Sequence, residues 1–268
     1  MTVPAQRTAQ TPVEPVPRYL FLDTYVEGYS VGTLLARLGC AVADKSMFVF
    51  QHHNSHSLAL MQGDPALRTS YAAADSIFID GIGAILVARA LGASVSSKQR
   101  VAVLDWIWPL FETAESEGWH IVHLGGSTSM LTAATAAVKA RCPAMRFSTV
   151  DGYFDPADPV QNDAVLNTLR GLAPTILLVG MGMPRQEKWL LDNVAALPPC
   201  VAVTVGGILG FVSGANPTPP RWIGRLGLEW LFRLVTEPRR LWHRYLVEPL
   251  PLVPLVLRQR LAQRRCAR

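Results

Sequence analysis

Three stretches of this chain carry side chains in patterns that can do chemistry. Asp80-Gly81-Ile82-Gly83 follows an apolar run and precedes the helix-like AILVARALG. A carboxylate there can take a proton or hold a sugar hydroxyl, and glycines such as Gly81 let a ligand approach the backbone. Aspartate is also among the best helix N-caps, so a purely structural reading stands beside the chemical one. The second stretch runs from Gly180 to Trp189, GMGMPRQEKW. A glycine-rich turn containing Gly182, then a proline opening a helix, aims backbone N–H groups at an anion or phosphate. Gln186 and Glu187 fall in the first helical turn; the helix dipole accounts for the glutamate without requiring the glutamine. The third is a C-terminal arginine series. Arg233, Arg240 and Arg244 lie within about 20° of one line on an α-helix, with Pro238 a kink point between them. Trp230, Leu231, Leu234, Leu241, Trp242 and Tyr245 run alongside. Arginine with tryptophan suits diphosphate binding and a headgroup-level interface; the alternative is a solvated basic face over a core-facing stripe.

A fourth stretch, Gln51-His52-His53-Asn54-Ser55-His56, invites a metal reading through the i, i+4 spacing of His52 and His56. No acidic or cysteine partner is near, so the segment is expected to line the cleft, with Asn54 hydrogen-bonding substrate. The chain contains no Asp-x-Asp, the carboxylate pair that often holds a divalent ion on a sugar-nucleotide diphosphate. Arginines and helix N-termini must then offset diphosphate charge, and neither a metal nor another cofactor is expected.

Positioning these groups requires a particular scaffold. Short apolar runs at 47–51, 76–80, 120–126, 145–154, 175–182 and 200–207 read as strands, several apolar throughout, as in a sheet covered on both faces. Helical periodicity fills 81–92, 104–117, 128–141, 159–171 and 185–196. This alternation predicts an α/β fold: a Rossmann-like, mostly parallel sheet with helices on both faces, plus a helical C-terminal appendage. Ligands in such sheets bind beyond the carboxyl ends of the strands, where Asp80 and the 180–186 turn fall. Residues 1–18 are expected to form a disordered leader, since they are rich in Pro, Thr and Gln and lack the apolar region of a secretory signal. The catalytic domain is expected over 19–215, and a basic, Trp/Arg-rich, membrane-associating appendage over 216–268.

Half of the 268 residues are hydrophobic and 17% are charged, with mean hydropathy +0.22. That excludes a disordered or collagenous chain. The net charge of +5 hides an asymmetry. From Arg221 to Arg268 stand eleven arginines against Glu229, Glu237 and Glu248, a balance of +8. The preceding residues carry −3. Such a tail wants an anionic partner. The apolar run at 246–257, LVEPLPLVPLVL, is too short and too proline-broken to cross a membrane but suits lying on one. The prolines and apolar residues around these arginines argue against nucleic acid. Four scattered cysteines without CxxC spacing read as reduced thiols of a cytosolic protein.

DGIG at 80–83, RVAVLD at 100–105, GMGMPRQEKW at 180–189 and GLEWLFRLVTEPRRLWHRY at 227–245, in this order, make the chain resemble the WecG/TagA/CpsF family of bacterial glycosyltransferases from about residue 46 to 245. The resemblance implies an inverting, metal-independent enzyme with a Rossmann-like domain and an appendage that attaches to the membrane and completes the active site. It implies a UDP-sugar donor, a polyprenyl-diphosphate-linked glycan acceptor, and a place on the cytoplasmic face of the bacterial plasma membrane in cell-surface or exopolysaccharide synthesis. By motif, Asp80 matches the catalytic base, Asn54 an asparagine facing the same cleft, Gln186 a substrate-binding glutamine and Arg100 an arginine near sugar or phosphates. Arg233, Arg240 and Arg244 match appendage arginines that clamp the leaving diphosphate. The chain departs from the pattern at His52-His53 for Thr-Pro, Val103 for Gly, Gly210 for Asp and Thr218 for Arg. These departures bear on the donor sugar and leave a rival open, a non-catalytic membrane-bound scaffold. A nicotinamide- or flavin-dependent oxidoreductase would need a glycine fingerprint followed by an acid that the chain lacks. Oligomeric state, a homo-oligomer included, is left open.

Overall fold

The structure is a computed structural model describing residues 15–266; the expected leader falls mostly outside these residues, and the chain is already in a strand at Arg18. Strands β1 (Arg18–Phe21) and β2 (Thr24–Glu27) form a hairpin, and α1 (Val31–Ala43) leads to β3 (Phe48–His53). Helices α2 (Ser55–Gly63) and α3 (Pro65–Ala72) cross to β4 (Ser76–Ile79). Then come α4 (Ile82–Ala90), α5 (Val103–Glu117), β5 (His120–Leu124), α6 (Thr128–Arg141), β6 (Arg146–Val150) and α7 (Pro159–Leu172). Strand β7 (Ile176–Val179), α8 (Arg185–Asn193), β8 (Val201–Thr204) and α9 (Leu209–Val212) complete the sheet unit. The sheet order is β1-β2-β4-β3-β8-β7-β5-β6, and within it only the β1–β2 pair is antiparallel.

The expected α/β fold is therefore present, and side-chain alternation explains how it holds together. In β7, Ile176 and Leu178 face one side while Leu177 and Val179 face the other. One side is covered by α1, α5, α6 and α9, the other by α2, α3, α4, α7 and α8. Burial on both faces is why these strands read as continuous apolar runs rather than alternating ones. Chain direction across the sheet reverses between β3 and β8, which opens a crevice above their carboxyl ends.

Beyond residue 220 the chain forms α10 (Arg221–Arg225), α11 (Glu229–Thr236), α12 (Pro238–Trp242), a π-helical turn (His243–Val247) and α13 (Leu252–Cys266). The helix expected to carry Arg233, Arg240 and Arg244 on one line is thus broken at Glu237-Pro238. Pro238 brings no N–H and its ring collides with the carbonyl one turn back. Helix α13 is not a free tail. Leu252 is buried in the sheet's core, Leu255 and Val256 pack against it, and Gln259 Oε1 accepts a hydrogen bond from the Leu22 N–H at 3.1 Å. Among the described residues no helix is long and apolar enough to cross a membrane.

Because Leu252 closes the core, Leu252→Ala is expected to lower unfolding free energy by about 2–4 kcal/mol. Urea denaturation measures this; a midpoint unchanged from wild type would mean that α13 merely rests on the sheet.

Candidate active site

A cavity of about 400 Å³ opens over the carboxyl ends of β3, β4 and β8, roofed by α11 and the π-helical turn. Parallel register puts its first two polar groups together. His53 pairs with Ile79, so the next residues, Asn54 and Asp80, leave adjacent strands side by side. Asn54 caps α2: its Oδ1 accepts from Ser57 N at 3.0 Å, while its Nδ2 donates to Asp80 Oδ2 at 3.3 Å. Asp80 Oδ1 accepts from Val103 N, the first residue of α5, at 3.2 Å. The capping reading of Asp80 holds, though at a helix distant in sequence. It caps neither α2 nor its own helix α4, whose N-cap is Gly81 without a side-chain bond; it takes a terminal N–H of α5. Two donors fix its carboxylate at the cavity wall and leave it lone pairs for a ligand. Gly81 is required for this closeness, because a Cβ there would sit 2.8 Å from the Asn54 Cβ.

Gln186 and Glu187 are not where a ligand can meet them. Gln186 is fully buried, and its Oε1 accepts from Gly182 N at 3.2 Å and Gly206 N at 3.1 Å. These N–H groups belong to the loops after β7 and β8, both of which line the cavity. Gln186 Nε2 donates to Glu187 Oε1 at 2.7 Å, which sets the amide's orientation. A glutamine suits the position because its amide oxygen accepts from two loops while its nitrogen, at the same reach, donates to the carboxyl behind it. Gln186 is a tie between loops, correcting the expected substrate contact, and the Gly182 N–H is spent on it. Glu187 is fully buried as well, which no dipole argument anticipates; burial pushes its carboxyl up to about 7, and its Oε2 has no partner among the described residues.

Arg100 lines the cavity, but its guanidinium is committed elsewhere. It donates to Glu229 Oε2 at 3.0 Å and Gly224 O at 2.8 Å, and reaches Asp105 Oδ2 at 3.5 Å. Arg221 joins the same cluster by an ion pair to Asp105. Arg100 thus fastens the appendage to the mouth of α5 instead of awaiting a phosphate. At the far end, His56 Nδ1 lies 2.5 Å from Glu248 Oε2, a second fastening.

Between the two fastenings the roof brings in Arg233 and Arg244, both lining the cavity. Arg233 stands over the Phe211 ring at 5.5 Å. The Nε of each is buried and has no partner among the described residues. Burial, and Arg233 beside it, hold the Arg244 pKa below the ordinary arginine value, while Tyr245, Asp80 and Glu248 oppose the shift. With Arg100 and Glu229 paired, two guanidiniums face one carboxylate. Arg240 does not join them: it is 62% exposed and pairs with Glu237 at 2.8 Å, because the break at Pro238 rotates it away. The structure therefore unites Asp80, Asn54, Gly81, Arg100, Gly182, Arg233 and Arg244 around one cavity, and leaves Gln186, Glu187 and Arg240 outside it. Sequence reading missed the Val103 N–H, a backbone group, and Phe211, whose ring meets Arg233 only through the fold.

The described residues hold no group of three His, Cys, Asp or Glu side chains placed to bind a metal ion, and the histidines of 52–56 diverge. A model of the glycosyl transferase WecG/TagA/CpsF family matches residues 19–266, nearly the whole chain. The chain belongs to that family of glycosyltransferases.

A glutamate whose native pKa is raised prefers to fold protonated, so its contribution is present at low pH and is lost as pH climbs through about 7. Glu187→Gln is expected to flatten this slope, worth on the order of 3 kcal/mol between pH 4.5 and 8. Urea midpoints at the two pH values decide it; equal slopes in variant and wild type would refute the assignment.

Proposed function

We propose that the protein is an inverting, metal-independent glycosyltransferase that moves a sugar from a UDP-sugar to a polyprenyl-diphosphate-linked saccharide at the inner face of the bacterial plasma membrane. One observation carries the reading. A fixed carboxylate, Asp80, and two half-buried arginines, Arg233 and Arg244, each with a buried and unpartnered Nε among the described residues, face one cavity at the sheet's reversal point.

Asp80 takes the proton of the acceptor hydroxyl as that oxygen attacks the donor's anomeric carbon. The bond from that carbon to the diphosphate oxygen breaks, and UDP leaves with the electron pair. Asn54 and the Val103 N–H hold the carboxylate in line. Arg233 and Arg244 stabilise charge building on the diphosphate, the task a metal performs elsewhere. An anion supplies the acceptors that their buried Nε groups lack, which makes UDP a better partner than a neutral sugar. The absence of Asp-x-Asp from the sequence accords with this division of labour.

The membrane side rests on surface chemistry. Most of the large apolar side chains exposed among the described residues lie in 222–261, including Trp222, Leu226, Val235, Trp242 and Leu250. Arginines are interleaved with them, a combination that suits the headgroup layer. The appendage thus roofs the cavity with one face and offers the other to lipid, so that an acceptor anchored in the bilayer meets the donor at the membrane surface.

Purified protein mixed with UDP-sugars and a short-chain prenyl-diphosphate glycan should release UDP, and should still do so in EDTA. Asp80→Ala is expected to cut turnover by about 10²–10⁴-fold with folding intact, and Arg244→Ala by about 10²-fold. Unchanged turnover in Asp80→Ala removes the base; UDP-sugar binding without any turnover in wild type favours the scaffold reading. Replacing Val235 and Leu246 by Glu should release the protein from anionic liposomes in a sedimentation assay, and continued pelleting would contradict the membrane face.

A further inference from the structure

The histidine segment 52–56 was expected to line the cleft as a group, yet the fold sends its members three ways. His53 is on the α2–α3 side of the sheet, fully buried, with Nε2 2.9 Å from Thr24 Oγ1 and Nδ1 3.0 Å from Ser57 Oγ. Both of its nitrogens are spent. His56 is spent on Glu248. His52 alternates to the opposite side of β3, where it lines the cavity beneath Asp80.

The ring of His52 is held on one edge only. Nδ1 lies 3.1 Å from the Thr204 carbonyl oxygen and 3.3 Å from Thr204 Oγ1. A carbonyl can only accept, so Nδ1 carries the ring's proton and Nε2 carries a lone pair. Among the described residues Nε2 has no protein partner. The Phe78 ring, 5.4 Å away centroid to centroid, walls one flank. An unprotonated nitrogen repels phosphate oxygens, which are acceptors too, and it needs a donor. Guanidiniums already serve the phosphates; the donors on a sugar nucleotide or a glycan are the sugar hydroxyls, an acetamido N–H where present and the uracil N3–H, and hydroxyls are the most numerous and the only ones common to both substrates.

We propose that His52 is a sugar-binding residue whose Nε2 accepts a hydrogen bond from a hydroxyl of the saccharide held in the cavity. This rests on the glycosyl-transfer reading and deepens it, since it assigns the recognition of the sugar itself to a position where the chain departs from the Thr-Pro-Asn pattern. Electrostatics keep the ring in the required form. Burial holds the His52 pKa below the ordinary histidine value and Arg244 works in the same direction, while Asp80 and the Thr204 carbonyl oppose. His53, next in the chain, is itself held neutral, its pKa pushed down to about 3 by burial.

Two substitutions separate binding from a purely structural tie between β3 and β8. His52→Asn keeps an amide N–H within reach of Thr204 but loses the atom at the Nε2 position; His52→Gln keeps an acceptor there and loses the Thr204 bond. Calorimetric titration with UDP-glucose, UDP-galactose, UDP-N-acetylglucosamine and a short-chain prenyl-diphosphate monosaccharide is the measurement. His52→Asn should weaken one substrate by about five- to tenfold, the loss of one hydrogen bond, and His52→Gln by less than about twofold. Whether donor or acceptor affinity moves identifies which saccharide His52 holds. In wild type, KM for that substrate should rise as acid protonates Nε2, and His52→Gln should lack this limb. The Nε2 nitrogen resonance of wild-type His52 should shift on adding whichever sugar-bearing substrate the titrations single out but not on adding UDP alone, a readout independent of the variants' folding. Equal effects of the two variants, or a worse His52→Gln, overturn the inference while leaving transfer intact; a wild type that neither binds nor turns over these substrates overturns the functional reading and the inference together.

Discussion

Everything distinctive about the cavity depends on one buried guanidinium finding its partners. The Arg100 side chain is only 9% exposed, so it must be satisfied inside the protein. Its own segment supplies Asp105, and the rest comes from the appendage: Glu229 and the Gly224 carbonyl. Leaving such a charge uncompensated costs about 3–5 kcal/mol, so docking is enforced from the sheet side. Once Glu229 is fixed, Arg233 follows one helical turn later on the same face. The His56–Glu248 contact pins the other end, and Arg244 lies on the span between. The arginines face the cavity because a different arginine, outside their helix, is in need of a carboxylate.

This arrangement reorders the charge asymmetry of the sequence. The +8 segment is not a uniformly solvated cationic tail. The three acids of that segment all act as fasteners: Glu229 holds Arg100, Glu248 holds His56, and Glu237 draws Arg240 outward. Two arginines line the cavity with their Nε groups buried, and others, Arg240 among them, remain at the surface beside exposed tryptophan and leucine. One short segment thus supplies both an arginine-bearing ceiling and an amphipathic exterior, and a single break, at Pro238, directs successive arginines to opposite sides. Glu187 and Gln186 do comparable work below, where a buried carboxyl, an amide and two glycine N–H groups hold the β7 and β8 loops at a set distance.

The parallel strands were legible because two-sided burial writes continuous apolar runs, and the helices of 81–196 because each shows a periodic apolar face. The β1–β2 hairpin was not. Its two-residue turn, Leu22-Asp23, has φ of 47° and 60°, a conformation ordinarily signalled by Asn-Gly. Neither residue announces it. Leu22 is kept there by burial in the core and by its N–H bond to Gln259, some two hundred residues later, a tertiary constraint with no local trace. The site shows the same division. Asp80, Asn54 and the two cavity arginines stand out by type and place. The Val103 N–H is a backbone group, Gln186 turned out to be an internal tie, and Arg240 was misassigned because the angular alignment assumed a helix that proline interrupts.

The departures from the family pattern can be sorted by what each position contributes physically. At 103 only the backbone N–H is used, to hold Asp80, so Val103 supplies what a glycine supplies and its side chain joins the core. Thr218 is exposed in the connector before α10, where nothing in the structure demands an arginine. Position 210 is different. A Cβ on Gly210 would come within 2.4 Å of Asn216 Nδ2, and the Asn216 N–H donates to the Gly210 carbonyl at 2.7 Å. With an aspartate at 210 the Asn216 amide would have to turn aside from the position it holds here. This departure replaces a negative charge with a neutral donor beside α9, whose Phe211 carries Arg233. The Asp80 carboxylate and its two donors, Asn54 Nδ2 and the Val103 N–H, are untouched by these departures.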